Sequence, residues 1–149
     1  MQLLLVATVA LSATMVAGYS MREFEKGSSQ ETHACSTLVP LHGPERKPPN
    51  SAYQLSASRL ADGSVSVKLS GSQPFKGFII QSSGPAGEFS FGSDAIKVGC
   101  SQATIRHKNA IPKTSVSATW KPSGSGTVSF KGTVVEDFKN FYELSAVSA

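Results

Sequence analysis

The stretch FKGFIIQSSGPAGEF, residues 75–89, carries apolar residues on both parities of an extended chain. Phe75 and Ile79 share one face of such a strand, and Phe78 and Ile80 share the other. A strand apolar on both faces reads as a central one, packed on both sides. Gly77 weakens a strand interior, so its place marks a bulge or a close approach by another backbone. The SSGPAG that follows is a turn-rich connection.

Outward from this strand the hydrophobic period stays near two. YQLSASR places Tyr53, Leu55 and Ala57 on one face, and the Asp62-Gly63 pair is a tight hairpin signal. SVSVKLS alternates Val65, Val67 and Leu69 inward with Ser66, Lys68 and Ser70 outward. AIKVGC puts Ile96, Val98 and Cys100 on one face, which points the cysteine inward and favours a buried bridge. ATIRHK groups Ala103, Ile105 and His107; SVSATW groups Val116, Ala118 and Trp120; GTVSFKGTVV groups Val128, Phe130 and Val134. FYELSAV is short enough for an edge strand. About eight short strands with turn signals between them, and no useful amphipathic helical window, predict an all-β antiparallel fold, either a sandwich or a barrel. One polar face per strand favours two packed sheets with solvated outer faces.

The chain has 149 residues, enough for one domain with a core. It opens MQLLLVATVALSATMVAGYS, an uncharged apolar run of about 16 residues ending in small ones, which reads as a secretory signal peptide. Cleavage is expected after Gly18 or Ser20, and no later segment is long enough to span a membrane. Residues 19–34 are polar and unpatterned at MREFEKGSSQETHA, and read as a flexible tail; the domain proper is expected over 35–149. Prolines and glycines in CSTLVPLHGPERKPPNSAY exclude a long helix there. Export implies an oxidising compartment, where the two cysteines, Cys35 and Cys100, allow only one pairing. That bridge closes a loop of about 66 residues, worth roughly 4 kcal/mol in the chain-entropy treatment. The alternative is a pair of buried free thiols.

Taken in order, CSTLVPLHG, PPNSAYQLSAS, VSVKLSG, FKGFIIQS, PAGEF, VGC and the tryptophan followed by KPSGSGTVSFKGTVVEDFKNFY resemble the reeler domain, the module named for the N-terminal region of reelin. The resemblance runs from residue 35 to about 145 and implies an immunoglobulin-like antiparallel β-sandwich. A secreted chain made of one such domain resembles the insect defence proteins, a group linked to immune challenge and haemocyte nodulation. IRHK, around His107, and FYEL, at Phe141 and Tyr142, depart from the family pattern at positions expected to pack.

Catalysis finds little support. The three histidines, His33, His42 and His107, are far apart, no Cys/His cluster supports a metal, and no G-x-S-x-G, H-E-x-x-H or phosphate-loop motif occurs. No cofactor is called for. His42 and His107 are expected to pack and to hydrogen-bond to backbone, and Trp120 to sit in the core. The formal net charge of +4 falls short of a dedicated nucleic-acid binder. Between Gly99 and Thr133 there are basic residues and no acid. Arg106 and Lys108, opposite in parity to Ile105, are expected to face solvent, with Lys113 and Lys121 in neighbouring loops completing an anion-binding patch. The bland alternative is a set of solvated lysines that blunt strand edges. The expected partners are therefore a microbial surface glycolipid or glycan, such as lipopolysaccharide, and the haemocyte surface, with the protein secreted into haemolymph. The rival expectation is an adhesion or matrix module for a host protein or glycosaminoglycan.

Overall fold

The computed structural model describes residues 26–41 and 43–149. The segment expected to be a signal peptide, the first part of the expected tail and His42 lie outside the described residues. One helix, α1 (Ser29–Thr37), precedes nine strands: β1 (Tyr53–Arg59), β2 (Val65–Phe75), β3 (Gly77–Ser83), β4 (Gly87–Phe91), β5 (Ala95–Val98), β6 (Thr104–His107), β7 (Lys113–Pro122), β8 (Ser129–Val135) and β9 (Phe141–Ser148). They form two antiparallel sheets, one of order β1-β2-β7-β4 and one of order β5-β6-β3-β8-β9. The all-β sandwich and its single disulfide agree with the sequence reading. β3 is the middle strand of its sheet and is buried on both faces over Gly77–Ser82, and β9 is an edge.

The alternating residues of β1, β2 and β7 face those of β3, β6 and β8 in a core that includes Val65, Leu69, Phe75, Phe78, Ile80, Ile105, Trp120 and Phe130. Phe75 therefore does not share a face with Ile79 as expected. The ladder between β2 and β7 is irregular between Ser70 and Phe75, and the chain passes from one sheet to the other across Lys76. Strand parity does not survive that bend, and Phe75 turns into the core. Gly77 answers to a side chain rather than a backbone: an added Cβ would lie 2.9 Å from Cε1 of His107. In the SSGPAG connection, Gly84 takes φ +108°, the left-handed region open to glycine. The sequence count of eight strands missed β4, whose five residues start at the last glycine of that connection and end just before Gly92.

The second difference is at the N terminus. Residues 29–34, read as tail, form most of α1. Ser28 caps the helix, its hydroxyl accepting from Glu31 N at 3.1 Å, while Glu31 Oε1 accepts from Gly27 N at 3.1 Å. Leu38 closes the helix in the left-handed conformation, donating N–H to Ala34 O. Ala34 and Leu38 pack on Ile79, on the outer face of the five-stranded sheet. Polar ties fasten the same layer. Gln81 Nε2 donates to Cys35 O at 3.2 Å, Thr133 Oγ1 donates to Leu38 O, and Arg46 Nη1 reaches Thr133 Oγ1 at 3.1 Å. Cys35 is joined to Cys100. Ile96, Val98 and Cys100 do share a face, but it looks toward α1 and not between the sheets, so the bridge is half-buried and not fully enclosed.

Candidate functional site

Two sheet edges, β1 and β9, meet along one side of the sandwich. The loops that join strands across one end then come together, and this end is where the predicted basic residues can be compared. Arg106 does not face solvent: it is 4 % exposed. It stands opposite Ile79 in the ladder, and cross-strand partners point the same way. That face is the one covered by the N-terminal layer, so the parity argument was sound and the assumption of a solvated outer face was not. Lys108 is exposed, just past β6, with its backbone N–H donating to Asp94 O at 2.9 Å. Lys113 opens β7 half-buried, and its Nζ donates to the carbonyls of Ile111 (2.7 Å), Asn109 (3.2 Å) and Lys76 (3.3 Å). Burial lowers its pKa below the usual lysine value. Lys121 is exposed at the far end of β7, opposite Glu88. Eight steps along the strand separate it from Lys113, roughly 26 Å. The fold thus brings Lys108 and Lys113 together and leaves Arg106 and Lys121 out.

What joins them was not anticipated. The Lys76 N–H donates to Val135 O at 2.8 Å while its carbonyl accepts from Lys113 Nζ. Lys76 thereby ties the base of the β6–β7 loop, residues 108–112, to the base of the β8–β9 hairpin, residues 136–140. Each loop presents a large apolar side chain to solvent, Ile111 at 65 % and Phe138 at 43 % exposure, and each carries an exposed lysine, Lys108 or Lys139. The acids of the hairpin have work within the fold. Glu136 Oε2 accepts from the Tyr53 hydroxyl at 2.7 Å. Asp137 accepts from Asn140 Nδ2, from Lys139 N and from Asn140 N, all within 2.9 Å. The Asn140 side chain in particular holds the Asp137 carboxyl below its ordinary pKa. The legible signal was an apolar residue inside a turn sequence, in NAIP and EDFKN. An amphipathic end of this kind suits an anionic amphiphile, with apolar tips for its hydrocarbon and ammonium groups for its phosphates.

The packing expectations for Trp120 and His107 are met, while that for His42 falls outside the described residues. Trp120 is fully buried, against Phe130 at 5.9 Å between ring centroids. His107 Nδ1 lies 3.1 Å from Phe78 N and 3.2 Å from Phe78 O, so the ring is tied to backbone. Among the described residues, no three of His, Cys, Asp and Glu come together in a way that holds a metal ion, and no helix is long and apolar enough to cross a membrane.

The family profile described as the Reeler domain matches residues 33–148. Among solved structures, the human F-spondin reeler domain resembles this chain with a TM-score of 0.60 at 18 % identity, covering 76 % of this chain and 97 % of that one. A second human fragment of it gives 0.57 at 18 % identity, covering 76 % and 96 %. The Reelin-N domain of F-spondin gives 0.56, also at 18 %, covering 70 % and 89 %. No curated protein sequence matches the chain. At such identity the neighbours speak for the fold, and the profile, spanning most of the chain, speaks for descent: the chain belongs to the reeler domain family.

Proposed function

We propose that the protein is a secreted, non-enzymatic defence protein that recognises anionic microbial surface components, lipopolysaccharide foremost, and promotes haemocyte nodulation. The observation that carries this reading is the pair of loops tied through Lys76, each with one exposed apolar residue and one exposed lysine. The apolar leader-like run at the N terminus and the Cys35–Cys100 disulfide support export. Lys108 and Lys139 make the charge contacts, Ile111 and Phe138 enter the acyl boundary, and Lys113 holds the loop in shape.

The test is binding of the secreted protein to lipopolysaccharide-containing vesicles and, in parallel, to heparin, each at low and high salt. Lipopolysaccharide binding should weaken with salt. The double change Lys108→Ala with Lys139→Ala should weaken it about tenfold or more, since a basic residue near an anionic surface is worth about 1 kcal/mol. Lys121→Ala, at the far end, should leave it unchanged. Undiminished binding by the double variant removes the loop end from the reading. Heparin binding without lipopolysaccharide binding moves the protein to the rival class, an adhesion or matrix module.

A further inference from the structure

Helix α1 and Leu38 lie on the outer face of the five-stranded sheet, and the contact between the two is of an unusual kind. Its apolar part is small: Ala34, Leu38 and Ile79 form a cluster of their own, separate from the core between the sheets. The rest is polar. Among the described residues seven polar or charged ones are buried, and five of them belong to this contact: Glu31, Gln81, Thr104, Arg106 and Thr133. Ile79 stands opposite Arg106 in one ladder and Thr133 in the other, and Gln81 stands opposite Thr104, so these residues share the covered face. Glu31 reaches across from α1 to accept from Gly99 N at 3.3 Å.

A polar contact holds weakly, because each hydrogen bond broken on separation is replaced by one to water. The bonds from Gln81 to Cys35 O and from Thr133 to Leu38 O are of this replaceable sort. His33 Nε2, on α1, is buried without a hydrogen-bond partner, so burying it opposes the contact. The tie that water cannot replace is covalent. Cys35, within α1, is joined to Cys100 in the β5–β6 loop, and both are half-buried. Neither cysteine belongs to the core between the sheets. Further along the chain Lys47 is fixed to β9, its N–H donating to Phe141 O and its carbonyl accepting from Glu143 N, both at 2.9 Å. A helix released from the sheet therefore stays tethered at Lys47.

We propose that α1 with Leu38 is a lid held by a redox latch: reduction of the Cys35–Cys100 bridge by a dithiol frees the lid and uncovers Arg106, Gln81, Thr104 and Thr133, while the sandwich stays folded. A thiolate of the dithiol attacks one sulfur of the bridge, the S–S bond breaks, and the departing cysteine sulfur takes up a proton. The second thiol of the reductant then attacks the mixed disulfide and releases the other cysteine as a thiol. The dithiol leaves as its cyclic disulfide, having given two electrons and two protons to the pair of cysteines. The sheet face so uncovered is polar around one guanidinium, with Ile79 beside it. The lid does not depend on the lysine-bearing loop end, and either reading can fail without the other.

Two residues report the two parts of the molecule separately. Arg106 is 4 % exposed under the lid, and Trp120, the single tryptophan, is fully buried in the core. The experiment incubates the folded protein with increasing dithiothreitol, blocks the freed thiols with iodoacetamide, and then labels arginines with phenylglyoxal. Labelling is read residue by residue by mass spectrometry, with the exposed Arg59 as the internal reference, and Trp120 fluorescence reports the core. Reduction should speed labelling of Arg106 about tenfold or more relative to Arg59, with the tryptophan emission unchanged, since the lost cross-link frees the lid and not the core. Leu38→Asn keeps a residue that tolerates the left-handed conformation but removes the apolar contact, and should lower the dithiothreitol concentration required severalfold. Arg106 still protected after both cysteines are alkylated overturns the proposal. So does labelling of Arg106 that appears only together with loss of the native tryptophan emission, because the bridge then holds the whole domain. An unshifted dithiothreitol requirement in Leu38→Asn overturns it as well.

Discussion

At the scale of single residues, the fold turns on a few places where there is no room for a carbon atom. Gly132 in β8 is such a place: a Cβ would lie 2.1 Å from Ile79 O in the middle strand. The obstacle is backbone inside a central ladder, and neither strand can yield without breaking its pairing. Gly77 is tight too, but its neighbour is the His107 ring, 2.9 Å away, and a ring can rotate or shift. Gly132→Ala should therefore cost about 3 kcal/mol or more, and Gly77→Ala nearer 1 kcal/mol, the two ends of the overpacking range. Urea unfolding midpoints of the two variants decide it; equal losses would mean that the imidazole is as fixed as the backbone. The sequence made Gly77 conspicuous because it interrupts an apolar run. Gly132 drew no notice, since its crowding comes from a strand some fifty residues earlier. Arg106 shows the same limit from the other side. Its parity was legible, but the layer that buries it is set by chain far away in sequence.

At the scale of elements, strands were easier to read than the helix. A strand declares itself by alternation, and β1, β2 and β7 each do so over most of their length. Helix α1 has no apolar stripe; it is held by its cap, by the disulfide and by the Ala34 and Leu38 contacts on Ile79. The Ser28 to Glu31 spacing is a capping-box signal and was the available clue. The β8–β9 hairpin depends on one carboxylate in a comparable way. Asp137 gathers the N–H groups of Lys139 and Asn140 and the Asn140 side-chain amide. Its folded pKa is depressed, first by the Asn140 side chain. A depressed acid contributes stability that is present above the unfolded pKa of 3.8 and lost as pH falls through the lower folded value. Below about pH 4 the hairpin should loosen and carry Phe138 and Lys139 out of position. Asp137→Ala should remove part of the acid-side fall in stability and weaken the hairpin at neutral pH. Chemical denaturation at pH 3 and pH 6 for both proteins measures this. An unchanged pH slope in the variant would mean that the carboxylate does not organise the turn.

At the scale of the whole molecule, the two sides of the sandwich are unequal. On the closed side, β1 runs against β9, and Arg59 reaches the carbonyls of Gly126 and Ala149 at 3.1 and 3.0 Å. Tyr53 and Tyr142 stack there at 5.9 Å, and Lys47 pairs with β9 through its backbone. On the open side, β4 and β5 are short edge strands of five and four residues, joined across the gap by the exposed Glu88–Lys97 pair. An exposed pair of this kind holds little, about 1 kcal/mol at most. Local opening should therefore begin at β4 and β5, where few apolar contacts must be broken, while β2, β7, β3 and β8 open only with global unfolding. Native-state hydrogen exchange gives the expected order: amides of β4 and β5 exchange at lower free energy than those of the four inner strands. Protection in β4 equal to that in β3 would show the open side to be as rigid as the core. The expected inequality has a functional consequence. The side expected to open first lies away from the lysine-bearing loop end, which is anchored on the inner strands through Lys76 and Lys113.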